Sequence, residues 1–174
     1  MPLIRNGALV ADGWVAVDDA AAVPDGEHAV VSFARWQAER ETFAARNARI
    51  GVRLANSDDV HALAEDIDRI GLIALEFPRF NDGRAYSQAR LLRERLGFTG
   101  ELRATGQVLR DQYLFMRRCG FDAFEVPEGT AVEAFRKSEA MITRFYQPAT
   151  DDVTTIGALR AGGAPRAPVA RTAS

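Results

Sequence analysis

The eight-residue run Ile70–Phe77 constrains the fold of this chain more than any other segment. Seven of its residues are apolar or glycine, and only Glu76 carries a charge. A half-exposed strand alternates apolar and polar residues, whereas a strand covered on both faces is an almost continuous apolar run. The run therefore predicts a strand that is buried on both faces.

Strand-like and helix-like segments alternate on either side of this run. Such an alternation with short connections implies a mostly parallel sheet with right-handed crossovers. The predicted fold class is α/β with about five βα units, as a partial or half (βα) barrel or as an open doubly wound sheet, between which periodicity does not choose. The predicted strands are 29–33, 50–54, 70–77, 102–104 and 121–126, and the predicted helices are 35–46, 58–68, 83–96, 107–118 and 130–146.

Two flanking segments differ from this α/β domain, which we place at residues 28–147. Residues 1–27 are predicted to form a small N-terminal β element, with a hairpin turn at Asp12-Gly13 between short apolar runs. Residues 148–174 are predicted to form a flexible tail that is disordered from residue 157 onward. Small and polar residues dominate this tail, so it cannot bury enough apolar surface to offset its ordering entropy.

Composition argues against several classes of protein. No stretch approaches the roughly 20 apolar residues that span a bilayer, and the first residues carry no secretory pattern, so a cytoplasmic location without membrane contact is expected. One cysteine and two histidines make an iron–sulfur cluster or a zinc site improbable. Phosphate-loop and dinucleotide motifs are missing from the sequence. We therefore expect neither a metal nor a cofactor, and the net charge of −2 argues against nucleic acid as a partner.

Charge is unevenly distributed along the chain. Residues 79–118 contain nine arginines and four acids, a net charge of +5, so the rest of the chain carries −7. Arg79 and Arg84 lie in the predicted loop 79–84 after the third strand, and the predicted loop after the fourth strand is 105–107. Because the carboxyl ends of parallel strands share one edge of the sheet, both loops are expected to open on the same side.

This edge is predicted to hold an anion or a protein partner, because helix N-termini and arginine side chains both donate hydrogen bonds to oxyanions. Asp111 is the candidate general base, a role that requires a water-poor pocket. A solvated arginine face is the structural alternative, and Cys119, His28 and His61 are interpreted as structural residues. The candidate residues for anion or partner binding are Arg79, Asp82, Gly83, Arg84, Ser87, Arg90, Arg103, Gly106, Gln107, Arg110 and Gln112.

Three segments carry a resemblance to a known family. They are FPRFNDGRAYSQARLLR at 77–93, GELRATGQVLRDQ at 100–112 and RCGFDAF at 118–124. Together they resemble a bacterial family of unknown function whose members are often encoded beside the sirohaem sulfite reductase in sulfate-assimilation clusters. Some members are labelled as oxidoreductases of sulfite reduction. The family usually has an acid where this chain has Gln107, so the resemblance implies a pathway and no catalytic carboxylate at that position.

Three hypotheses of function follow. The first is an accessory protein of assimilatory sulfate and sulfite reduction that acts with sulfite reductase or with its electron donor. The second is a small-molecule enzyme that binds a phosphorylated or sulfated anion at the carboxyl ends of the strands. The third, compatible with both, is a homodimer that covers the exposed edges of an incomplete barrel.

Overall fold

The fold was analysed in a computed structural model that describes residues 1–142, 144–151 and 153–162. Its strands join into one sheet, and its helices follow the parallel strands. The strands are β1 (Leu3–Arg5), β2 (Ala8–Val10), β3 (Val15–Ala16), β4 (Ala29–Ser32), β5 (Ile50–Leu54), β6 (Ile70–Phe77), β7 (Glu101–Gly106) and β8 (Ala123–Glu125). The helices are α1 (Phe33–Ala38), α2 (Arg40–Ala44), the 3-10 helix η1 (Val60–Asp66), α3 (Arg84–Glu94), α4 (Arg110–Arg118), α5 (Val132–Met141) and α6 (Ile156–Arg160).

Strand order selects the half-barrel from the two predicted architectures. The sheet runs β2-β1-β8-β7-β6-β5-β4-β3, so β3 to β8 are neighbours in the order in which they occur in the chain. All of these neighbours are parallel, whereas β1 pairs antiparallel with β8 and with β2. A doubly wound sheet reverses its strand order at a switch point, and this sheet does not. The chain is therefore a curled, singly wound half-barrel.

The central strand β6 confirms the prediction made from its apolar run. All of its residues are buried except Glu76, which is partly exposed. On the outer face, one row of paired residues crosses five strands and lies in the main hydrophobic core. The row consists of Leu54, Leu75, Ala104, Phe124 and Ile4, each almost fully buried. This row supports the helices that follow the parallel strands.

A four-residue connection requires the sheet to curl. Strands β2 and β3 lie at opposite edges of the sheet, yet only residues 11–14 separate them. Seven strand spacings in a flat sheet would cover about 34 Å, whereas the extended chain from Val10 to Val15 reaches at most about 18 Å. The two edges must therefore approach each other. We call residues 11–14 the strap, because they join one edge to the other.

The strap packs against the inner face of the half-barrel. Trp14 contacts a small apolar cluster of Val30, Leu72 and Ala74, which is separate from the main core. A methyl group added at Gly71 would lie 2.8 Å from the Trp14 ring, so the missing side chain at Gly71 makes room for the indole. The strap thus covers part of the inner face.

The hairpin turn lies elsewhere than predicted. Strands β1 and β2 form the hairpin, and its two-residue turn is Asn6-Gly7, with φ of 51° and 70°. The prediction of a turn at Asp12-Gly13 was wrong, because the apolar runs on either side of it pair with opposite edges of the sheet. Both dipeptides carry the turn signal, and only long-range pairing distinguishes them.

Several helices are shorter than predicted. The predicted helix 35–46 is two short helices that meet at Glu39, and the predicted helix 58–68 is the 3-10 helix η1. The last predicted helix begins at Val132 and ends at Met141. Thr130, the first residue of the predicted helix, lies before α5 and donates its hydroxyl hydrogen bond to the Pro127 carbonyl at 2.6 Å.

The first part of the predicted tail contacts helix α4. The Thr150 amide donates to the Arg118 carbonyl at 3.1 Å, and Asp151 forms an ion pair with the Arg118 guanidinium at 2.8 Å. Helix α6 follows. Residue 152 and residues 163–174 of the predicted tail lie outside the described residues.

Candidate functional site

The loops at the carboxyl ends of β5, β6 and β7 lie next to one another, as the parallel topology requires. Asn56 donates through Nδ2 to Asp82 Oδ2 at 2.7 Å. The Gln107 amide donates to the Phe77 carbonyl at 2.8 Å, and Gln112 donates through Nε2 to the Phe80 carbonyl at 2.9 Å. These three hydrogen bonds bring the loops predicted to bind an anion or partner to one edge of the half-barrel.

Two of the predicted arginines at this edge are held by neighbouring carboxylates. Arg84 donates through Nε and Nη2 to Asp82, at 3.0 and 2.7 Å, and this pair holds the pKa of Asp82 down to about 2. Arg90 pairs with Glu94 one helical turn away at 2.9 Å. Both guanidinium groups remain more than half exposed, so their donors can still contact a binding partner.

Arg79 and Arg110 carry free positive charge at the same edge. Both are exposed, and neither forms an ion pair within the part of the chain that the structure describes. Ser87 and Gln107 are also exposed, and Gly83 occupies the position before the first turn of α3.

The backbone conformation at position 106 explains why a glycine is present there. Its φ is +82°, and a Cβ there would lie 2.5 Å from the Phe77 carbonyl oxygen. The glycine therefore lets β7 end in close contact with β6, which allows the neighbouring Gln107 amide to bond to Phe77. Contact with an anion at Gly106 stays a prediction.

Asp111 lies in the first turn of α4 on an exposed surface. Its charge complements the positive end of the helix dipole. General-base catalysis by this carboxylate stays a prediction, and its exposure does not provide the water-poor surroundings that the role requires.

Arg103 lies on the inner face of the half-barrel and not with Arg84. Its side chain is almost fully buried, and its guanidinium contacts Asp12 of the strap, Glu101 and Glu125. The shortest of the N–O distances to these three carboxylates are 2.7, 2.8 and 3.1 Å, respectively. Burial opposes the charged form, but the hydrogen bonds and charges of Asp12 and Glu101 outweigh it and raise the pKa of Arg103. Sequence spacing placed Arg103 near the anion-binding loops. Two of its carboxylate partners belong to other elements, Asp12 to the strap and Glu125 to β8, whereas Glu101 lies two residues earlier in β7.

Large apolar side chains accompany the arginines at the carboxyl edge, which sequence analysis did not predict. Phe80 is 59 % exposed and Phe115 is 56 % exposed, and Leu109 is exposed as well. The Phe115 ring lies 4.7 Å from the Tyr86 ring, which links α4 to α3. The signal that could have revealed this surface is the position of Phe80 in a predicted loop. We call this surface the arginine–aromatic face, which consists of Arg79, Phe80, Arg84, Tyr86, Arg90, Leu109, Arg110 and Phe115.

Tyr86 of this face and the neighbouring Cys119 both stay neutral at ordinary pH. Burial raises the pKa of the Tyr86 phenol to about 12 and that of the Cys119 thiol to about 11. Cys119 is buried at the end of α4, in keeping with its interpretation as a structural thiol.

The histidines have local structural contacts. His28 accepts a hydrogen bond from the Arg49 amide at 3.2 Å, and His61 lies 2.8 Å from the Asp59 carboxylate. Among the described residues, no cluster of three or more His, Cys, Asp or Glu side chains is placed to hold a metal ion. Within the same residues, no helix combines the length and apolar character needed to cross a membrane.

The fold and this surface define a class of protein, a singly wound α/β half-barrel with a charged inner face and an arginine–aromatic face at the carboxyl ends of its strands. The chain belongs to a bacterial protein family of unknown function, DUF934, whose model matches residues 51–156. The matched region includes all of β5 except Ile50, the strands β6 to β8 and the whole arginine–aromatic face. Neither a curated protein nor a solved structure matches the chain.

Proposed function

We propose that this protein is an accessory protein of assimilatory sulfite reduction, which docks onto sirohaem sulfite reductase through the arginine–aromatic face. The pathway comes from the resemblance of residues 77–124 to a family encoded beside that enzyme. The mode of action comes from the exposed surface. The observation that carries the proposal is the exposure of Phe80 and Phe115 among four exposed arginines.

Surface chemistry favours a protein partner at this face. Aromatic residues and arginine are enriched where proteins bind one another, and they account for many of the side chains whose removal weakens binding most. Arg79 and Arg110 have no ion pair within the described residues, so their charge is available to a carboxylate on another molecule. An acidic patch on the reductase would steer encounter with this face and set the register of binding.

A sulfur-source growth experiment tests the pathway. A strain in which the encoding gene is deleted is expected to fail on sulfate and on sulfite and to grow on sulfide. Normal growth on all three sources would contradict a role in sulfite reduction.

A binding experiment tests the face itself. The double variant Phe80→Ala/Phe115→Ala is expected to reduce co-purification with sulfite reductase and to restore growth of the deletion strain poorly. Removing two such anchors costs more than about 2 kcal/mol of binding free energy in typical interfaces. Tyr146→Ala is the matched control, because Tyr146 is a highly exposed aromatic residue outside the face. Equal co-purification of the two variants would overturn the docking proposal.

The same experiment separates the partners. If the electron donor co-purifies instead of the reductase, and Phe80→Ala/Phe115→Ala abolishes this co-purification, the partner is the donor.

Light scattering of the purified protein tests the predicted homodimer, and a monomer-sized species would reject it.

The alternative is a small-molecule enzyme that binds a phosphorylated or sulfated anion at this edge. The guanidinium groups of Arg79 and Arg110 favour it, because neither has an ion pair among the described residues and arginine forms paired hydrogen bonds with such anions. The double variant Arg79→Gln/Arg110→Gln tests this alternative. If this variant loses anion binding but still binds the reductase normally, the result would favour the alternative over docking.

A further inference from the structure

A cavity of about 270 Å³ lies at the opposite end of the half-barrel, where β5 and β6 begin. Its walls come from helices α1 and α2, from the connection 45–49, from the end of η1 and the connection 67–69, and from the first residues of the two strands. Sequence reasoning placed no site here, because binding sites of parallel sheets normally lie at the carboxyl ends of the strands. We call this cavity the amino-end pocket.

Positive charge dominates the amino-end pocket. Four arginines line it, Arg40, Arg46, Arg49 and Arg69, and Asp66 is the acidic residue among its lining residues. The concentration is unexpected, because the pocket belongs to the part of the chain that carries the net charge of −7. An empty cluster of like charges is unfavourable, so the pocket is suited to an anionic ligand.

Internal partners neutralise only part of this charge. Asp66 forms an ion pair with Arg40, and Arg69 lies 3.6 Å from the same carboxylate. Arg40 also pairs with Glu65 at 2.8 Å. The two carboxylates are thus shared between Arg40 and Arg69, which leaves the other two arginines without a counter-charge from this cluster.

Arg46 and Arg49 carry the free charge. Arg46 donates through Nη2 to the neutral carbonyls of Pro24 and Glu27, at 2.7 and 3.3 Å. Its Nε is buried and has no hydrogen-bond partner within the described residues. The Arg49 side chain runs over Gly71, and its guanidinium forms no ion pair in that part of the chain. A buried N–H donor without an acceptor is unfavourable, and a ligand oxygen would satisfy it.

The apolar wall and the size of the pocket restrict the ligand further. Trp36 and Phe43 line the pocket, and the Arg40 guanidinium lies 5.5 Å from the centre of the Trp36 ring. The volume is below the range of about 300 to 1,000 Å³ that holds drug-sized ligands. Guanidinium groups from three separate segments can donate to the several oxygens of a tetrahedral oxyanion, for which arginine is well suited.

We propose that the amino-end pocket binds a small phosphate or sulfate monoester, with the oxyanion on Arg46, Arg49 and Arg69 and a compact apolar group against Trp36 and Phe43. This site is independent of the docking face and of its partner. It also differs from the anion site expected at the carboxyl ends of the strands.

Calorimetric titration of the full chain tests this proposal with four probes. They are 4-nitrophenyl phosphate, 4-nitrophenyl sulfate, 4-nitrobenzoate and 4-nitrophenol. The titrations are made at pH 6, where 4-nitrophenol is uncharged. Binding of at least one ester about tenfold tighter than the carboxylate and the phenol is expected, because only the esters offer three oxygens to the guanidinium groups. The tighter of the two esters identifies the phosphate or the sulfate class. Equal or tighter binding of 4-nitrobenzoate, or no binding of either ester, would overturn the proposal.

Matched variants locate the site. Arg49→Gln/Arg69→Gln removes two charges from the rim of the pocket and is expected to weaken ester binding by about tenfold or more. Arg84→Gln/Arg90→Gln removes two charges from the arginine–aromatic face and is expected to leave ester binding unchanged. The reverse result would place the anion at the carboxyl edge and overturn the proposal. If the first variant does not fold, Arg49→Lys is the substitute, because lysine retains the positive charge but lacks the planar guanidinium group with its paired donors. This variant is expected to weaken ester binding several-fold, and unchanged ester binding would contradict the proposal.

Failure of this proposal and failure of the docking proposal give different results. Loss of reductase binding in Phe80→Ala/Phe115→Ala concerns the carboxyl edge alone. Ester binding by the isolated protein concerns the amino-end pocket alone.

Discussion

Arg103 and Asp12 are 91 residues apart in the chain and form a bidentate ion pair on the inner face of the half-barrel. Arg103 Nη1 lies 2.7 Å from Asp12 Oδ2, and Nη2 lies 2.8 Å from Oδ1. Because Asp12 belongs to the strap and Arg103 to β7, this pair ties the connection between the two sheet edges to the middle of the sheet. Arg103 is 2 % exposed, so the pair is shielded from solvent on its arginine side.

Removal of Arg103 is expected to destabilise the fold strongly. Arg103→Gln would leave the carboxylates of Asp12, Glu101 and Glu125 close together, and breaking a buried ion pair in this way costs about 3 to 5 kcal/mol of the free energy of unfolding. Urea denaturation measures this loss. Arg136→Gln is the control, because Arg136 pairs with Glu133 on an exposed helix surface and its removal should change the free energy of unfolding little. Similar stabilities for the two variants would show that the inner-face network is not important for folding.

Two glycine substitutions distinguish the hairpin turn from the strap. Gly7→Ala is expected to lower the free energy of unfolding by about 1 kcal/mol, because Gly7 has a φ of 70°, which residues with a Cβ adopt at a cost. Gly13→Ala is expected to be neutral or to raise the free energy of unfolding by up to about 1 kcal/mol. A Cβ at this position has open space, and alanine lowers the conformational entropy of the unfolded chain relative to glycine. Thermal unfolding of both variants gives the comparison. If Gly13→Ala destabilised the protein more than Gly7→Ala, the hairpin turn would lie at Asp12-Gly13.

The loop that carries Arg84 is expected to respond to acid. The hydrogen bonds from the Arg84 side chain are the main cause of the low pKa of Asp82. Partial desolvation opposes them, and the Arg84 backbone amide, the Arg84 charge and Asn56 lower the pKa further. Since this pKa of about 2 lies below the ordinary value of 3.8, the stabilising contribution is complete above about pH 4 and disappears as the pH falls through about 2. An NMR titration of the Asp82 carboxyl carbon measures the pKa directly. Arg84→Gln should raise it toward 3.8, Arg90→Gln should not, and equal values in all three proteins would contradict the assignment.

Cys119 is expected to be unreactive in the native protein. Burial is the main reason that its pKa is raised to about 11 from 9.0, so the thiolate that reacts with disulfide reagents is scarce at pH 8. The raised pKa also means that the contribution of the neutral thiol to stability is present below about pH 9 and is lost as the pH rises through about 11. Ellman's reagent should label the protein in denaturant and barely label it without. Rapid, complete labelling of the native protein would be incompatible with this burial.

The parallel part of the fold could be predicted because its signals are local. The apolar run of β6 and the short run of β5 gave bounds that the structure reproduces. The division of the predicted helix 35–46 at Glu39 and the 3-10 form of η1 were not predictable in the same way. Helical periodicity indicates which face is buried, whereas the exact hydrogen-bonding pattern depends on how the segment packs.

The candidate site was predicted only in part. Topology placed the loops of Arg84 and Gln107 at one edge, because parallel strands end on the same side. Exposure of Phe80 and Phe115 was missed, since an apolar residue is expected to be buried until the neighbouring surface is known. The amino-end pocket was also missed, because its arginines come from separate segments of the chain in which acids outnumber them.

The sequence by itself determined which segments become strands and helices, and in what order, because periodicity, turn residues and apolar runs act over a few residues. Only the tertiary structure decided that the sheet curls into a half-barrel, that Asp12 pairs with Arg103, and that Arg46, Arg49 and Arg69 surround one cavity. These contacts depend on the order and register of strands that are distant in the chain. A charged side chain carries no local signal of the partner it will meet.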